Sequence, residues 1–224
     1  LKSQQNSTNI VNEFNTEAPY QISKTLRIDK AEQIQNEKIR LYCIIQATGG
    51  DEISAKTYEA AAKPLIIKLI QESEIFEKIR DSGISMDFVF SDLEHEFLVF
   101  EISSQEYTKP VKGLDNITDL ESLLKYLAGQ VKQTLPLKDP ESRVIIKDII
   151  VGNSMLGYKC ELPDDAATTY NRVAYYREII RIFSVNESIK SLIKDQGVLI
   201  KYLYEDSEGN FIDEINITAE DLKD

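Results

Sequence analysis

The chain is written twice, and that limits what it can fold into. With Cys43 laid on Cys160, an offset of 117, Ile39, Leu41, Cys43 and Ile45 fall on Leu156, Tyr158, Cys160 and Leu162. Both runs alternate apolar with mostly polar residues, the period-2 mark of a half-buried strand. Asn36 falls on Asn153 in the presumed preceding turn. Leu26–Ile28 falls on Arg143–Ile145 as a first strand, so the two strands form a hairpin in each copy. Further back, Pro19 meets Pro136, and Ile10, Val11 and Phe14 meet Leu127, Ala128 and Val131.

The second copy shows what that leading segment is. Thr118 and Glu121 have the spacing of a capping box, in which each side chain satisfies the other's backbone N–H. Leu120, Leu123, Leu124, Leu127 and Val131 then form a helical apolar stripe. By internal homology, residues 1–16 are the tail of the same helix, and the module is expected to begin upstream of residue 1. After the hairpin a longer helix follows. Thr57-Tyr58 matches Thr169-Tyr170 at offset 112, so the first copy has five more residues here, among them Gly49-Gly50. Tyr58, Ala62, Leu65, Ile66, Leu69 and Ile70, then Phe76 and Ile79, give an apolar face in the first copy. Pro64 marks a kink or a second start there. Val173, Tyr176, Ile179, Ile180 and Phe183 do the same in the second copy, before a break at 185–188 and a short helix through Ile193.

A closing hairpin completes each copy. Gly83 matches Gly197 at offset 114; Ile84, Met86, Phe88 and Phe90 match Val198, Ile200, Tyr202 and Tyr204. Last strands follow at Phe97–Ile102 and Phe211–Ile217. The expected fold is α+β, a tandem duplication of an α-ββ-α-ββ module. Each module is expected to be a four-stranded, mainly antiparallel sheet with helices on one face, over residues 1–112 and 113–224.

The repeat is also a filter on candidate chemistry. Cys43 and Cys160 hold equivalent inward positions and read as small core hydrophobes. His95, the only histidine, falls on Gly209 in a hairpin turn, where a left-handed backbone is expected. A single histidine excludes histidine-built metal sites and His-dependent triads. Gly49-Gly50 with Ser54 lies between strand and helix, where phosphates can be cradled. However, Asp51 and Glu52 here, and Asp164 and Asp165 in the second copy, repel an anion and suit the helix dipole. The acidic turns Asp92, Glu94 and Glu96, and Glu205, Asp206 and Glu208, lack EF-hand spacing and read as solvated hairpins. Tyr175, Tyr176, Tyr202 and Tyr204 read as packing residues. No catalytic, cofactor-binding or metal residue is therefore assigned, and no cofactor is expected.

The net charge of −12 is spread over both copies, −5 in residues 1–112 and −7 in the rest. A diffuse negative field repels phosphate backbones and excludes nucleic acid as a partner. No run of 18 apolar residues offers a transmembrane span. The sheet face turned away from the helices is the candidate partner surface. It carries Tyr42, Ile44 and Val89 in the first copy and Leu199 and Leu203 in the second. Burial of that face between the modules is the competing expectation.

The opening run Lys2–Thr8, rich in Ser, Gln and Asn, resembles the polar tether that follows the anchor of Gram-positive lipoproteins. The Ile-, Lys-, Asn- and Glu-rich usage is similar to that of low-GC bacteria, and duplicated α/β ectodomains occur among uncharacterised proteins of this kind. The resemblance implies a non-enzymatic, extracytoplasmic binding or sensing domain, tethered to the membrane only through upstream sequence. Such a domain would take a protein or peptide at a sheet face or edge. The alternatives are a hydrolase using carboxylates in an intermodule cleft, and a cytoplasmic or phage interaction protein.

Overall fold

The computed structural model describes residues 2–23, 25–35, 38–45, 55–91, 95–114, 117–139 and 142–222. By its internal contacts the chain divides into two compact units. One comprises Leu1–Gln46 with Ala62–Asp115, the other Ala47–Ala61 with Asn116–Asp224. The sequence boundary at 112/113 compares with 115/116 here, and 47–61 groups with the second unit.

The first module starts with α1 (Lys2–Glu17). Ser7, Ile10, Val11 and Phe14 are buried along it, spaced i, i+3, i+4, i+7, so one stripe faces the sheet. The polar run Lys2–Thr8 is the first half of this helix, as the internal homology predicts. After it come β1 (Tyr20–Gln21), β2 (Leu26–Gln35) and β3 (Lys38–Ile45). The crossover is α2 (Ala55–Glu72), continuous across Pro64, then a 3-10 turn (Glu74–Phe76) capped by Ser73 and α3 (Glu77–Asp81). Then β4 (Ser85–Ser91), β5 (Glu96–Ile102) and a short α4 (Ser104–Tyr107) close the module.

The second module repeats this plan with α5 (Leu120–Lys132), β6 (Leu137–Lys138), β7 (Ile145–Gly152) and β8 (Met155–Glu161). After α6 (Asp164–Thr168), α7 (Arg172–Val185) and α8 (Glu187–Lys194), it ends on β9 (Leu199–Glu205) and β10 (Phe211–Ile217). The cap of α5 lies one residue later than the sequence places it. Asp119, not Thr118, is the N-cap, and its carboxylate accepts the Ser122 N–H at 2.8 Å.

The fold is α+β, as expected, with two differences inside each sheet. Each sheet has five strands, in the orders β1-β2-β3-β4-β5 and β10-β9-β8-β7-β6. The extra strands β1 and β6 are two residues long, too short to carry any periodicity. The central pairs β3–β4 and β8–β9 are parallel, joined through the helical crossover, while all other pairs are antiparallel. The first hairpin is also one residue out of the sequence alignment. Ile28 pairs with Cys43, and its counterpart opposite Cys160 is Ile146, because β2 carries an additional irregularity between Gln33 and Gln35 that β7 lacks.

Helices cover one face of each sheet, and the cores lie between. In the first module Phe14 of α1, Phe76 and Phe88 of β4 run in ring contact at 6.5 and 6.4 Å, and Phe88 meets Phe100 of β5 at 6.0 Å. In the second, Tyr202 stacks on Tyr158 at 5.1 Å and meets Phe183 of α7 at 6.4 Å. Gly83 and Gly197 end the equivalent short helices at φ 66° and 68°. That left-handed conformation is one that glycine adopts without the Cβ penalty.

Candidate functional site

The outward face of the first sheet is built on β3, β4 and β5. On β3 the inward residues Ile39, Leu41, Cys43 and Ile45 leave Arg40, Tyr42 and Ile44 outward, each half-buried. In register, Tyr42 pairs with Val89 of β4, and Val89 with Val99 of β5. These three side chains form an apolar row across the sheet, ending at β5, an edge strand. Val99 is 50% exposed and its neighbour Phe97 42%.

Charges fix the borders of the row. Asp87, one pleat along β4, is buried and paired with Lys38 Nζ at 2.7 Å and Arg40 Nη2 at 3.3 Å, and Lys38 also reaches Glu101 at 2.8 Å. At the β2 end, the Tyr42 hydroxyl donates to Glu32 Oε2 at 2.7 Å, and Lys30 Nζ lies 4.4 Å from the Tyr42 ring centroid. That bond to Glu32, with burial, pushes the Tyr42 phenol above its usual value. The Lys30 and Tyr42 bonds outweigh desolvation and hold Glu32 below the carboxylate range.

The same row in the second module has a different character. Tyr42, Val89 and Val99 correspond to Lys159, Leu203 and Glu214, which are in register with one another. Lys159 pairs with Glu205 at 2.9 Å and Glu214 with Lys201 at 2.9 Å. Burial pushes the Glu205 carboxyl up, but Lys159 and Lys147 outweigh it and hold the group below its usual range.

The structure therefore places the predicted face residues as follows. Tyr42, Ile44 and Val89 come together, but Val89 is not exposed. At 2% accessibility it is covered because it sits on a central strand between Tyr42 and Val99. Leu203 stands alone between Lys159 and Glu214. Leu199 pairs with Met155, with Lys201 between it and Leu203 along β9. No continuous apolar patch joins Leu199 and Leu203. The exposed apolar residues of this face that sequence reasoning missed are Val99 and its neighbour Phe97. The signal was present, since inward Leu98, Phe100 and Ile102 leave Phe97 and Val99 outward.

Other candidates resolve as scaffold. Cys43 and Cys160 are free thiols, each 1% exposed, and burial pushes both up to about 12. His95 is exposed just before β5 and is not in the left-handed region, which among described non-glycine residues holds Arg143 and Ser154. The reason is loop length. Between equivalent strands the first module has residues 92–95 and the second 206–210, one more, so Gly209 has no counterpart at His95. Asp206 braces its turn by accepting from the Asn210 and Glu208 N–H groups at 2.8 and 3.0 Å. At the entrance of α6, Asp165 pairs with Arg143 and Asp164 accepts from Ser207. Asn36, Gly49, Gly50, Asp51, Glu52, Ser54, Asp92 and Glu94 lie outside the described residues. Among the described residues no three of His, Cys, Asp and Glu gather as metal ligands, and no helix is long and apolar enough to cross a membrane.

The fold and face define an α+β chain of two similar sheet modules, one with an apolar row that ends at an edge strand. No protein-family model and no curated protein matches the sequence. Among solved structures the chain is similar to a protein from Pseudomonas aeruginosa described as a candidate secreted protein. That match has 12% identity and TM-score 0.41, over 48% of this chain and 100% of the other. It is similar also to the pilotin EpsS of the Vibrio vulnificus type 2 secretion system, at 15% identity and TM-score 0.40, over 46% and 92%. A third is AspS, the type II secretion system pilotin of Vibrio cholerae, at 19% identity and TM-score 0.39, over 45% and 90%.

Proposed function

We propose that the chain is a non-enzymatic binding module that takes an extended, apolar segment of a partner protein alongside β5. The observation that carries this is the contrast between copies. On the same backbone the outward row is Tyr42–Val89–Val99 in one and Lys159–Leu203–Glu214 in the other. Charges on an edge strand are a common defence against strand pairing. At the row position the second copy has one, Glu214 on β10, where the first has Val99, so that the charges of β5, Glu96 and Glu101, flank the row rather than interrupt it. An edge strand offers unpaired backbone donors and acceptors, and alternate side chains of an added strand would lie along the row. The buried carboxylates Asp87 and Glu205 are each held by two cations, a structural role rather than an acid–base one. In keeping with the resemblance to lipoprotein ectodomains, the module works outside the cytoplasm.

A random heptapeptide phage library panned on the full chain tests the binding role. Enriched peptides are expected to alternate apolar residues, to slow amide exchange at 96–102, and to bind Val99→Glu at least tenfold more weakly. Peptides that bind Val99→Glu equally and leave 96–102 unprotected would overturn the proposal. So would self-association of the wild type that Val99→Glu abolishes, which would assign the edge to a second copy.

A further inference from the structure

The first module also has a cleft of about 200 Å³ on its helical side, between α1, β1 and the 3-10 turn with α3. Its floor is apolar and includes Ile10, Phe14 and Ile79, all buried, with the Tyr20 ring packed on Phe14 at 4.7 Å between centroids. Its rim carries Glu13, Glu17, Glu74 and Glu77 against a single Lys78. Lys78 pairs with Glu13, and Glu17 accepts only the Tyr20 hydroxyl at 3.4 Å. Among the described residues no basic side chain pairs with Glu17, Glu74 or Glu77. The cleft thus joins an apolar floor to three carboxylates without a cation. Burial first, and then Glu17 and Glu13, push the Tyr20 phenol above its usual value, which reports the same local field.

The duplication supplies an internal control. The floor positions Ile10, Phe14 and Tyr20 correspond to Leu127, Val131 and Leu137, so the apolar character is kept. The rim is not. Glu13 and Glu17 correspond to Gln130 and Thr134, and Glu77 to Lys190 counted from the helix cap or Ser191 counted from Gly197. Glu74 meets an acidic residue, Glu187, by the first count and Ser188 by the second. At most one of the four rim carboxylates therefore recurs. The second copy carries the larger overall negative charge, so a generally acidic surface does not account for this rim.

We infer that the cleft docks a basic segment of a protein partner. The aliphatic stem of an Arg or Lys would lie on Phe14 and Tyr20, with its cationic head between Glu17, Glu74 and Glu77. A long cationic side chain is the group that needs both surfaces at once, since its stem is apolar and only its tip is charged. The site shares no residue with the β5 row, so the two stand or fall separately.

The test is fluorescence anisotropy with the full chain and a labelled Ala-Leu-Arg-Leu-Arg-Ala peptide. Binding is expected to weaken with added salt and to fall at least tenfold when both Arg become norleucine. The triple variant Glu17→Gln, Glu74→Gln, Glu77→Gln is expected to lose at least tenfold. A charge-matched control, Glu178→Gln, Glu208→Gln, Glu220→Gln, is expected to stay within twofold. Backbone amides of residues 74–79 should shift in NMR spectra on titration. Equal loss in both triple variants would reduce the effect to the diffuse field and overturn the proposal. Absence of shifts at 74–79 would do the same, as would spermidine binding the cleft as tightly as the peptide.

Discussion

Phe88 and Tyr202 hold equivalent positions on the central strands β4 and β9, and exchanging them is a direct test of the core assignment. Phe88 is 0% exposed, with Phe76, Phe90 and Phe100 at 6.4, 6.3 and 6.0 Å between centroids, none of which offers an acceptor. Phe88→Tyr therefore buries a hydroxyl without a partner, at a cost of about 1–3 kcal/mol. Fitting the extra oxygen into a packed core adds about 1–3 kcal/mol. Tyr202 is half-buried, its phenol is pushed well up chiefly by burial, and no hydrogen bond to another described residue holds it. Tyr202→Phe should change stability by less than about 0.5 kcal/mol, the range of substitutions that break no specific interaction. The assay is urea unfolding of the full chain by circular dichroism, fitted with two transitions because the chain has two units. With m of about 2 kcal/mol/M, Phe88→Tyr should lower one midpoint by about 1–3 M and leave the other in place. A shift under about 0.3 M, or an equal shift in Tyr202→Phe, would refute the reasoning.

Thiol titration provides another check: with Cys43 and Cys160 buried and pushed up to about 12, the native chain should leave a disulfide reagent unreacted at pH 8 and consume two equivalents once denatured. Asp119→Ala should cost about 0.5–2 kcal/mol by removing the α5 cap, whereas Thr118→Ala should cost a few tenths, measured by thermal melts. Acid should weaken the second module through Glu205. Its folded carboxyl lies below the unfolded value, so its contribution is present above the unfolded pKa and is lost as pH falls through the folded one. Urea midpoints between pH 6 and pH 3 should fall less steeply in Glu205→Gln than in wild type.

The sequence made the modules legible because the inward sets, such as Ile39–Leu41–Cys43 and Ile200–Tyr202–Tyr204, repeat at strand spacing and share counterparts across the copies. It could not reveal that β3 and β4 run parallel, since alternation fixes which side chains face the core and is silent on strand direction. It also misjudged Val89. Facing outward is a property of one strand, but being exposed depends on the neighbours at its register, and those are Tyr42 and Val99. The cleft was out of reach for a related reason. Glu13 and Glu17 are ordinary solvent-side helix positions until the chain returns with Glu74 and Glu77 opposite them.

The parallel β3–β4 pair joins strands separated by residues 46–84, and β8–β9 joins strands separated by residues 162–198. Neither sheet centre can form until its whole crossover has been made and closed, so folding is governed by non-local pairing and should fall in the slower range, milliseconds to seconds. During synthesis, at roughly 5–20 residues per second, the β2–β3 hairpin would wait several seconds with Leu41 and Cys43 uncovered before β4 arrives. The helix α1, already made, can shelter that hairpin from the start, and α2 follows before β4 emerges. A duplicated chain can thus bring its first copy to rest before the strands of its similarly folded second copy emerge to compete for the same places.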